Sequence, residues 1–171
     1  LIAEYVLNYR VRGKRALETV HWCLVDSLGC AFEALAYPDC TKLLGPLTPG
    51  TQVLAGARVP GTPHVLDPVK AAFDLGVLIR WLDYNDAFNG ETVVHPSDCF
   101  GGLLAVADWA SRTRLAAGRA PITVGELLDA AVRAYEVMGG LAIENPFTKK
   151  MGLDHVLLVK IAVAALAAKL L

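Results

Sequence analysis

The sequence predicts an all-α fold: one helical domain over residues 1–171, with a single irregular excursion. Three observations predict it. Apolar residues recur at helical spacing along most of the chain. The hydrophobic fraction is 54%, above the ordinary range of about 45–50%. This excess indicates helices that pack against further protein, an unusually large core, or an alanine-rich helical protein. Six of the nine prolines fall between Pro38 and Pro68, so the irregular part is confined to that stretch.

The first strong helical pattern runs from Lys14 to Leu35. Its apolar positions are Leu17, Val20, Leu24, Leu28, Ala31 and Leu35. They follow the spacing of one helix face. Tyr37-Pro38-Asp39 ends this helix, and a shorter helix is predicted before it, around Ile2 to Tyr9.

The excursion from Pro38 to Pro68 is too rich in proline and glycine for a long helix. Its apolar residues persist, which indicates ordered structure rather than a linker. Two short strands are predicted within it, at Gln52-Val53-Leu54 and at Pro63 to Leu66.

Helices resume after the excursion. Asp67-Pro68 is a typical helix start, because an N-cap residue precedes a proline at the first helical position. Thr123 and Glu126 have the spacing of a capping box. The predicted elements are helices from Val69 to about Asp83, from about Cys99 to Leu115, and from Thr123 to about Ile143, a loop from Asn145 to Gly152, and a final apolar helix capped by Asp154.

Composition excludes several classes of function. The net charge is −1 with no basic stripe, so no nucleic-acid partner is expected. The last apolar run is interrupted by Lys160 and Lys169 and is shorter than the ~20 residues of a membrane span. The four cysteines form no C-x-x-C pair, which favours free thiols in a reducing compartment. The chain starts without methionine and stops at Leu171 without a helix stop signal, so we expect it to be part of a longer protein.

The polar stretch between the second and third long helices is the strongest candidate site. Asp83, Asp86 and His95 lie within it, and histidine is the natural proton carrier near neutral pH. A second candidate is His155, which follows Asp154 at a helix start. On pattern alone a structural interpretation stays open: the aspartates end a helix or form a turn, and His155 bonds to backbone near a cap. No spacing of histidine, acidic or cysteine residues predicts a metal site.

Several segments make the sequence more specific. In chain order they are Cys23 to Cys30 (CLVDSLGC), Lys42 to Pro46 (KLLGP), Arg58 to Thr62 (RVPGT), Arg80 to Asp86 (RWLDYND), His95 to Asp98 (HPSD), Ile143 to Asn145 (IEN) and Gly152 to Lys160 (GLDHVLLVK). Together they resemble the 2-methylcitrate dehydratase family (MmgE/PrpD). The resemblance covers essentially the whole chain.

This resemblance implies that residues 1–171 are the first part of an all-helical domain, which the family joins to a smaller α+β domain. It implies a homodimer that needs no metal or organic cofactor. It also implies a hydro-lyase that converts 2-methylcitrate to 2-methyl-cis-aconitate in the methylcitrate cycle of propionate catabolism. The expected location is the cytoplasm, or the mitochondrial matrix in a eukaryote. We expect residues 1–171 alone to be inactive.

By the same resemblance, Asp83, His95 and His155 share the proton transfers, and their acid and base roles stay open. The expected contacts to the tricarboxylate substrate are Arg80, Asp86 and Ser97. The chain departs from the family at Ala87, where a threonine is usual. Thr92 is another source of a hydroxyl in this stretch.

That departure leaves the substrate open. One alternative is a decarboxylase or dehydratase of a related tricarboxylate such as cis-aconitate or citrate. Another is a non-catalytic helical interaction domain.

Overall fold

The computed structural model describes residues 1–171 and confirms the predicted all-α class. The helices are α1 (Ile2–Asn8), α2 (Lys14–Ala34), α3 (Pro38–Thr41), α4 (Pro68–Arg80), α5 (Cys99–Ala116), α6 (Val124–Glu144), α7 (Phe147–Met151) and α8 (Val156–Leu170), with a 3₁₀ turn at Pro96–Asp98. Two antiparallel strand pairs complete it: β1 (Ala57–Arg58) with β2 (Val65–Leu66), and β3 (Phe88–Asn89) with β4 (Val93–Val94). None of the helices combines the length and the apolar character that crossing a membrane requires.

Helices α4 and α5 form a closely packed pair at the centre of the fold. Asp67 caps α4 by accepting hydrogen bonds from the backbone N–H groups of Val69 (3.1 Å) and Lys70 (3.0 Å). A Cβ placed on Gly101 of α5 would lie 2.9 Å from the backbone nitrogen of Gly76 of α4. Only glycine permits this approach, so the two helices are held at a short separation.

Helices α6 and α8 pack around this pair. The predicted capping box opens α6: Glu126 accepts from the Thr123 N–H (2.7 Å), and Thr123 accepts from the Glu126 N–H (3.2 Å). The core includes Phe100, Leu75 and Leu158, all essentially buried. The four cysteines are free thiols.

The excursion is held to α4 by a buried ion pair. Lys70 and Asp74 contact each other inside the fold, where their side chains are 8% and 0% exposed. Asp74 also accepts a hydrogen bond from the Gly45 N–H (2.8 Å), and Lys70 donates to the Leu43 carbonyl (3.0 Å). Because each charge is paired and hydrogen-bonded, the pair fixes the loop without leaving a buried charge uncompensated.

The strand predictions for the excursion were partly wrong. The second strand is Val65–Leu66, inside the predicted segment, but its partner is Ala57–Arg58 rather than Gln52-Val53-Leu54. A turn intervenes, in which the Gly56 N–H bonds to the Val53 carbonyl (3.3 Å). Gly56 itself packs against the Leu66 backbone, where a side chain would clash, so pairing begins only after it.

Three further elements differ from the predictions. Helix α4 ends at Arg80, because Asp83 takes a left-handed backbone with φ 57°. The hairpin β3–β4 lies in the stretch predicted only as polar loop. Residues 147–151 form a short helix rather than a loop, closed by Gly152 at φ 64°, the usual left-handed helix end.

Candidate functional site

The candidate site is built on the connection between α4 and α5. The hairpin β3–β4 anchors this connection to α6. Thr92 donates from its backbone N–H to the Ala142 carbonyl (3.1 Å) and from its hydroxyl to the Asn145 carbonyl (2.8 Å). Its side chain is buried, so this hydroxyl serves the fold and does not replace the one missing at Ala87.

Asn85 connects the start of this loop to its end. Its side-chain amide donates to the Ser97 hydroxyl (2.9 Å) and to the Asp98 carboxylate (2.8 Å). Asn85 and Ser97 are both buried, with 5% and 0% of their surface exposed. These bonds bring the start of the loop against the 3₁₀ turn at its end.

Asp86 connects three parts of the site. One carboxylate oxygen accepts from the Ser97 backbone N–H (2.9 Å), and the other accepts from the Tyr135 hydroxyl of α6 (2.8 Å). Its backbone carbonyl lies 2.7 Å from Nδ1 of His95. A carbonyl oxygen only accepts, so this contact requires the proton on Nδ1. Neutral His95 therefore carries its free lone pair on Nε2.

His155 reaches the same place from the start of α8. Its ring centroid lies 5.3 Å from that of His95, with the planes at 61°. Nδ1 of His155 is 3.1 Å from an Asp154 carboxylate oxygen, and Nε2 is 4.0 Å from one of Asp98. Nε2 is shielded from solvent without a hydrogen-bond partner. Two imidazoles thus lie side by side, flanked by carboxylates.

Arg80, the last residue of α4, joins the carboxylates of the site. It forms an ion pair with Asp83, and its Nε lies 3.8 Å from Asp98. The Arg80 guanidinium lowers the pKa of Asp83, whose side chain is 70% exposed. Asp83 is therefore a carboxylate near neutral pH and a poor proton donor.

Asp98 behaves in the opposite way. Burial raises its pKa, against the opposing effects of the Asn85 hydrogen bond and the charges of Arg80, His95 and His155. Its side chain is 14% exposed. The site therefore holds one carboxylate that ionises easily and one whose charge is penalised.

The structure brings together the residues that the sequence indicated. His95 and His155 are adjacent, and Asp83 lies at the edge through Arg80. Asp86 and Ser97 make internal contacts in this loop, and Ser97 is fully buried. Their predicted contact with substrate stays a prediction.

Sequence reasoning missed three contributors: Asn85, Asp98 and Tyr135. Asn85 and Asp98 lie within the RWLDYND and HPSD segments, but no sequence pattern indicated that they bond to each other. Tyr135 lies in an apolar helical run that reads as core, and its partner Asp86 is 49 residues away. The only signal for Tyr135 was its hydroxyl on the face of α6 that was expected to pack into the core.

Comparison with known proteins identifies the family of the chain. The sequence profile of the MmgE/PrpD N-terminal domain matches residues 1–171. The chain belongs to the MmgE/PrpD family. This confirms the resemblance found in the sequence.

Among MmgE/PrpD relatives, 2-methylcitrate dehydratase of Salmonella typhimurium is 54% identical over 99% of this chain and 35% of its own length. The mitochondrial 2-methylcitrate dehydratase of Yarrowia lipolytica is 46% identical over 99% of the chain and 33% of its own length. An alkylcitrate dehydratase of Talaromyces stipitatus is 44% identical over 99% and 37% respectively. The chain thus spans about a third of the length of these relatives.

Proposed function

We propose that the protein containing this chain dehydrates 2-methylcitrate to 2-methyl-cis-aconitate. The observation that carries the proposal is the His95–His155 pair, 5.3 Å apart between its rings, in a chain 54% identical to a 2-methylcitrate dehydratase. Such an elimination needs a base for the proton on carbon next to a carboxylate and an acid for the departing hydroxyl. Two adjacent imidazoles are suited to both tasks.

The contacts of each histidine support a different role for it. His95 holds its proton on Nδ1 against the Asp86 carbonyl, which leaves the lone pair of Nε2 free and supports Nε2 as the base that removes the substrate proton. The electron pair of that C–H bond forms the double bond as the C–O bond breaks. His155 lies between Asp154 and Asp98, which are charge partners for a protonated ring, and it gives the proton that lets hydroxide leave as water.

The neighbouring residues support these steps. Asp83 is the third of the predicted catalytic residues. Its carboxylate is exposed and easily ionised, so it contributes a negative charge and does not act as an acid. Arg80 contacts Asp98, the carboxylate that also faces His155, and it binds a substrate carboxylate after releasing Asp83 or Asp98. Asp86 and Ser97 hold the loop, and they reach the substrate only if that loop opens. A tricarboxylate needs more positive charge than Arg80 supplies, so further cations come from the rest of the protein.

The test is a product analysis of the full-length protein with 2-methylcitrate. We expect 2-methyl-cis-aconitate to form without release of carbon dioxide. His155→Asn should abolish most of the turnover, whereas His21→Asn, on the exposed face of α2, should retain it. Carbon dioxide release would identify a decarboxylase instead, and no reaction with any tricarboxylate would favour a non-catalytic helical domain.

A longer substrate chain is the second candidate. The relative from Talaromyces stipitatus is named an alkylcitrate dehydratase and is 44% identical. Ala87 is exposed and carries no hydroxyl, which gives room beside the site. Comparing kcat/KM for 2-methylcitrate with that for longer 2-alkylcitrates decides between the two.

We also propose the assembly and setting that the family resemblance implies. They are a second, smaller α+β domain, a homodimer, activity without metal or organic cofactor, and a place in propionate catabolism in the cytoplasm or mitochondrial matrix. Exposed apolar side chains on α2, Trp22 at 66% and Phe32 at 52%, support a further protein surface in contact with this chain. The Yarrowia lipolytica relative is named mitochondrial, which supports the location in eukaryotes.

A further inference from the structure

Asp86 has no free carboxylate oxygen. One oxygen accepts a hydrogen bond from the backbone N–H of Ser97 (2.9 Å), and the other accepts from the hydroxyl of Tyr135 (2.8 Å). The Ser97 bond stays within the loop, whereas the Tyr135 bond is the only one of the two that reaches a long helix. Tyr135 therefore ties Asp86 to the scaffold.

The backbone of Asp86 is what sets the tautomer of His95. Its carbonyl accepts from Nδ1 of His95 at 2.7 Å, and it does so only while residue 86 is held in this orientation. If residue 86 rotates, Nδ1 loses its acceptor, and the ring is free to carry its proton on either nitrogen. Nε2 then carries the proton in part of the molecules and has no free lone pair in them.

Tyr135 is built to donate here. Its ring packs against Phe100, with centroids 6.1 Å apart, which fixes the direction of the hydroxyl. Burial, followed by the charge of Asp86, raises the pKa of Tyr135, so the phenol keeps its proton at any working pH. A carboxylate only accepts, so the hydrogen bond has one direction.

We propose that Tyr135 is a positioning residue: through Asp86 it fixes His95 in the tautomer whose Nε2 is unprotonated. The claim about the tautomer stands without the dehydratase activity, but its value as a catalytic base rests on the proposed function. Tyr135 need not touch the substrate.

The test reads the tautomer directly. In the full-length protein, ¹⁵N-histidine labelling gives one pair of ring-nitrogen signals for each histidine, and His95→Asn identifies the pair that belongs to His95. At about pH 8, above the ordinary histidine pKa of about 6.5, wild-type His95 should show a protonated Nδ1 and an unprotonated Nε2. Tyr135→Phe, which keeps the ring packing, should shift these signals toward a mixture of tautomers.

Two further variants complete the design. Tyr84→Phe removes a hydroxyl from the same loop, where the side chain is 70% exposed, and should leave His95 unchanged. Asp86→Ala removes both acceptor oxygens, so it should reproduce the shift even if Tyr135→Phe fails to fold. In the full-length enzyme, Tyr135→Phe should lower kcat by about 10- to 100-fold, the scale expected for a misplaced catalytic group, with little change in KM.

The proposal is overturned if wild-type His95 carries its proton on Nε2. It is also overturned if a folded Tyr135→Phe chain keeps the wild-type tautomer. An unchanged His95 tautomer in Tyr135→Phe, together with normal turnover by the wild-type enzyme, would overturn the positioning role and leave the dehydratase proposal standing. A shifted His95 tautomer in Tyr135→Phe, without turnover by the wild-type protein, would support the positioning role and overturn the dehydratase proposal.

Discussion

His95 and His155 lie with their ring centroids 5.3 Å apart, although one precedes α5 and the other begins α8. The first prediction follows from this contact. His95→Asn in the full-length protein should lower kcat by roughly 10²–10⁴-fold, the usual contribution of general acid–base catalysis. KM should change much less, because proton transfer acts mainly in the transition state.

Steady-state kinetics and a melting curve on one preparation check this prediction. His64→Asn, in the excursion, is the matched control. An unchanged kcat would remove His95 from the mechanism. A large fall in Tm would show that His95 is needed for folding instead.

The second prediction concerns the pH dependence of stability. Burial raises the pKa of Asp98 above its ordinary 3.8. The folded chain therefore binds a proton on Asp98 more tightly than the unfolded chain does. The resulting stabilisation is present at pH below the ordinary pKa and is lost as pH rises through the raised pKa. Asp98→Asn keeps an acceptor for Asn85 and cannot ionise. The Tm of this variant minus that of wild type should become more positive between about pH 3 and pH 7.

Thermal melts across this pH series provide the measurement. Asp26→Asn, at an exposed position of α2, is the control for removing a surface charge. A Tm difference that falls with rising pH would mean that the ion pairs of Asp98 outweigh its burial.

The third prediction tests the contact between α4 and α5. Gly101→Ala should destabilise the fold by about 1–3 kcal/mol, because the new Cβ meets the backbone of Gly76 and cannot be accommodated by a side-chain rotation. Gly76→Ala is the matched control, since a Cβ there meets nothing within 4 Å. That change should be neutral or stabilise by up to about 1 kcal/mol through helix propensity. Urea denaturation of both variants measures the difference, and equal stabilities would contradict the close packing.

The fourth prediction concerns the chain by itself. Residues 1–171 match only 35% of the length of a 2-methylcitrate dehydratase, and Arg80 is already paired with Asp83. We expect the isolated chain to show no turnover of 2-methylcitrate and to bind a hydrophobic dye at its exposed apolar residues. Clear turnover by the purified chain would contradict this.

Local signals in the sequence predicted most of the helices. The Asp67-Pro68 start and the Thr123–Glu126 capping box depend on neighbours within one turn, so the sequence alone contains the information. The strand Ala57–Arg58 was missed because its existence depends on pairing with Val65–Leu66, which no local pattern specifies.

The site divides in the same way. The loop residues were visible as a polar stretch between apolar helices. The approach of His155 to His95 and the bond from Tyr135 to Asp86 join distant parts of the chain. The first of these was predicted only through the family resemblance, and the second was not predicted.

The left-handed backbone of Asp83 has a consequence for mutational scanning. Asp83 is the only non-glycine residue with positive φ, a conformation that costs an ordinary residue about 1–2 kcal/mol but that asparagine and glycine tolerate. Asp83→Ala would thus combine a lost charge with a displaced loop, and the two effects could not be separated. Asp83→Asn removes the charge alone. Homologues with asparagine or glycine at this position would keep the bend of the loop without its carboxylate. The backbone conformation of the loop therefore does not depend on the acidic group.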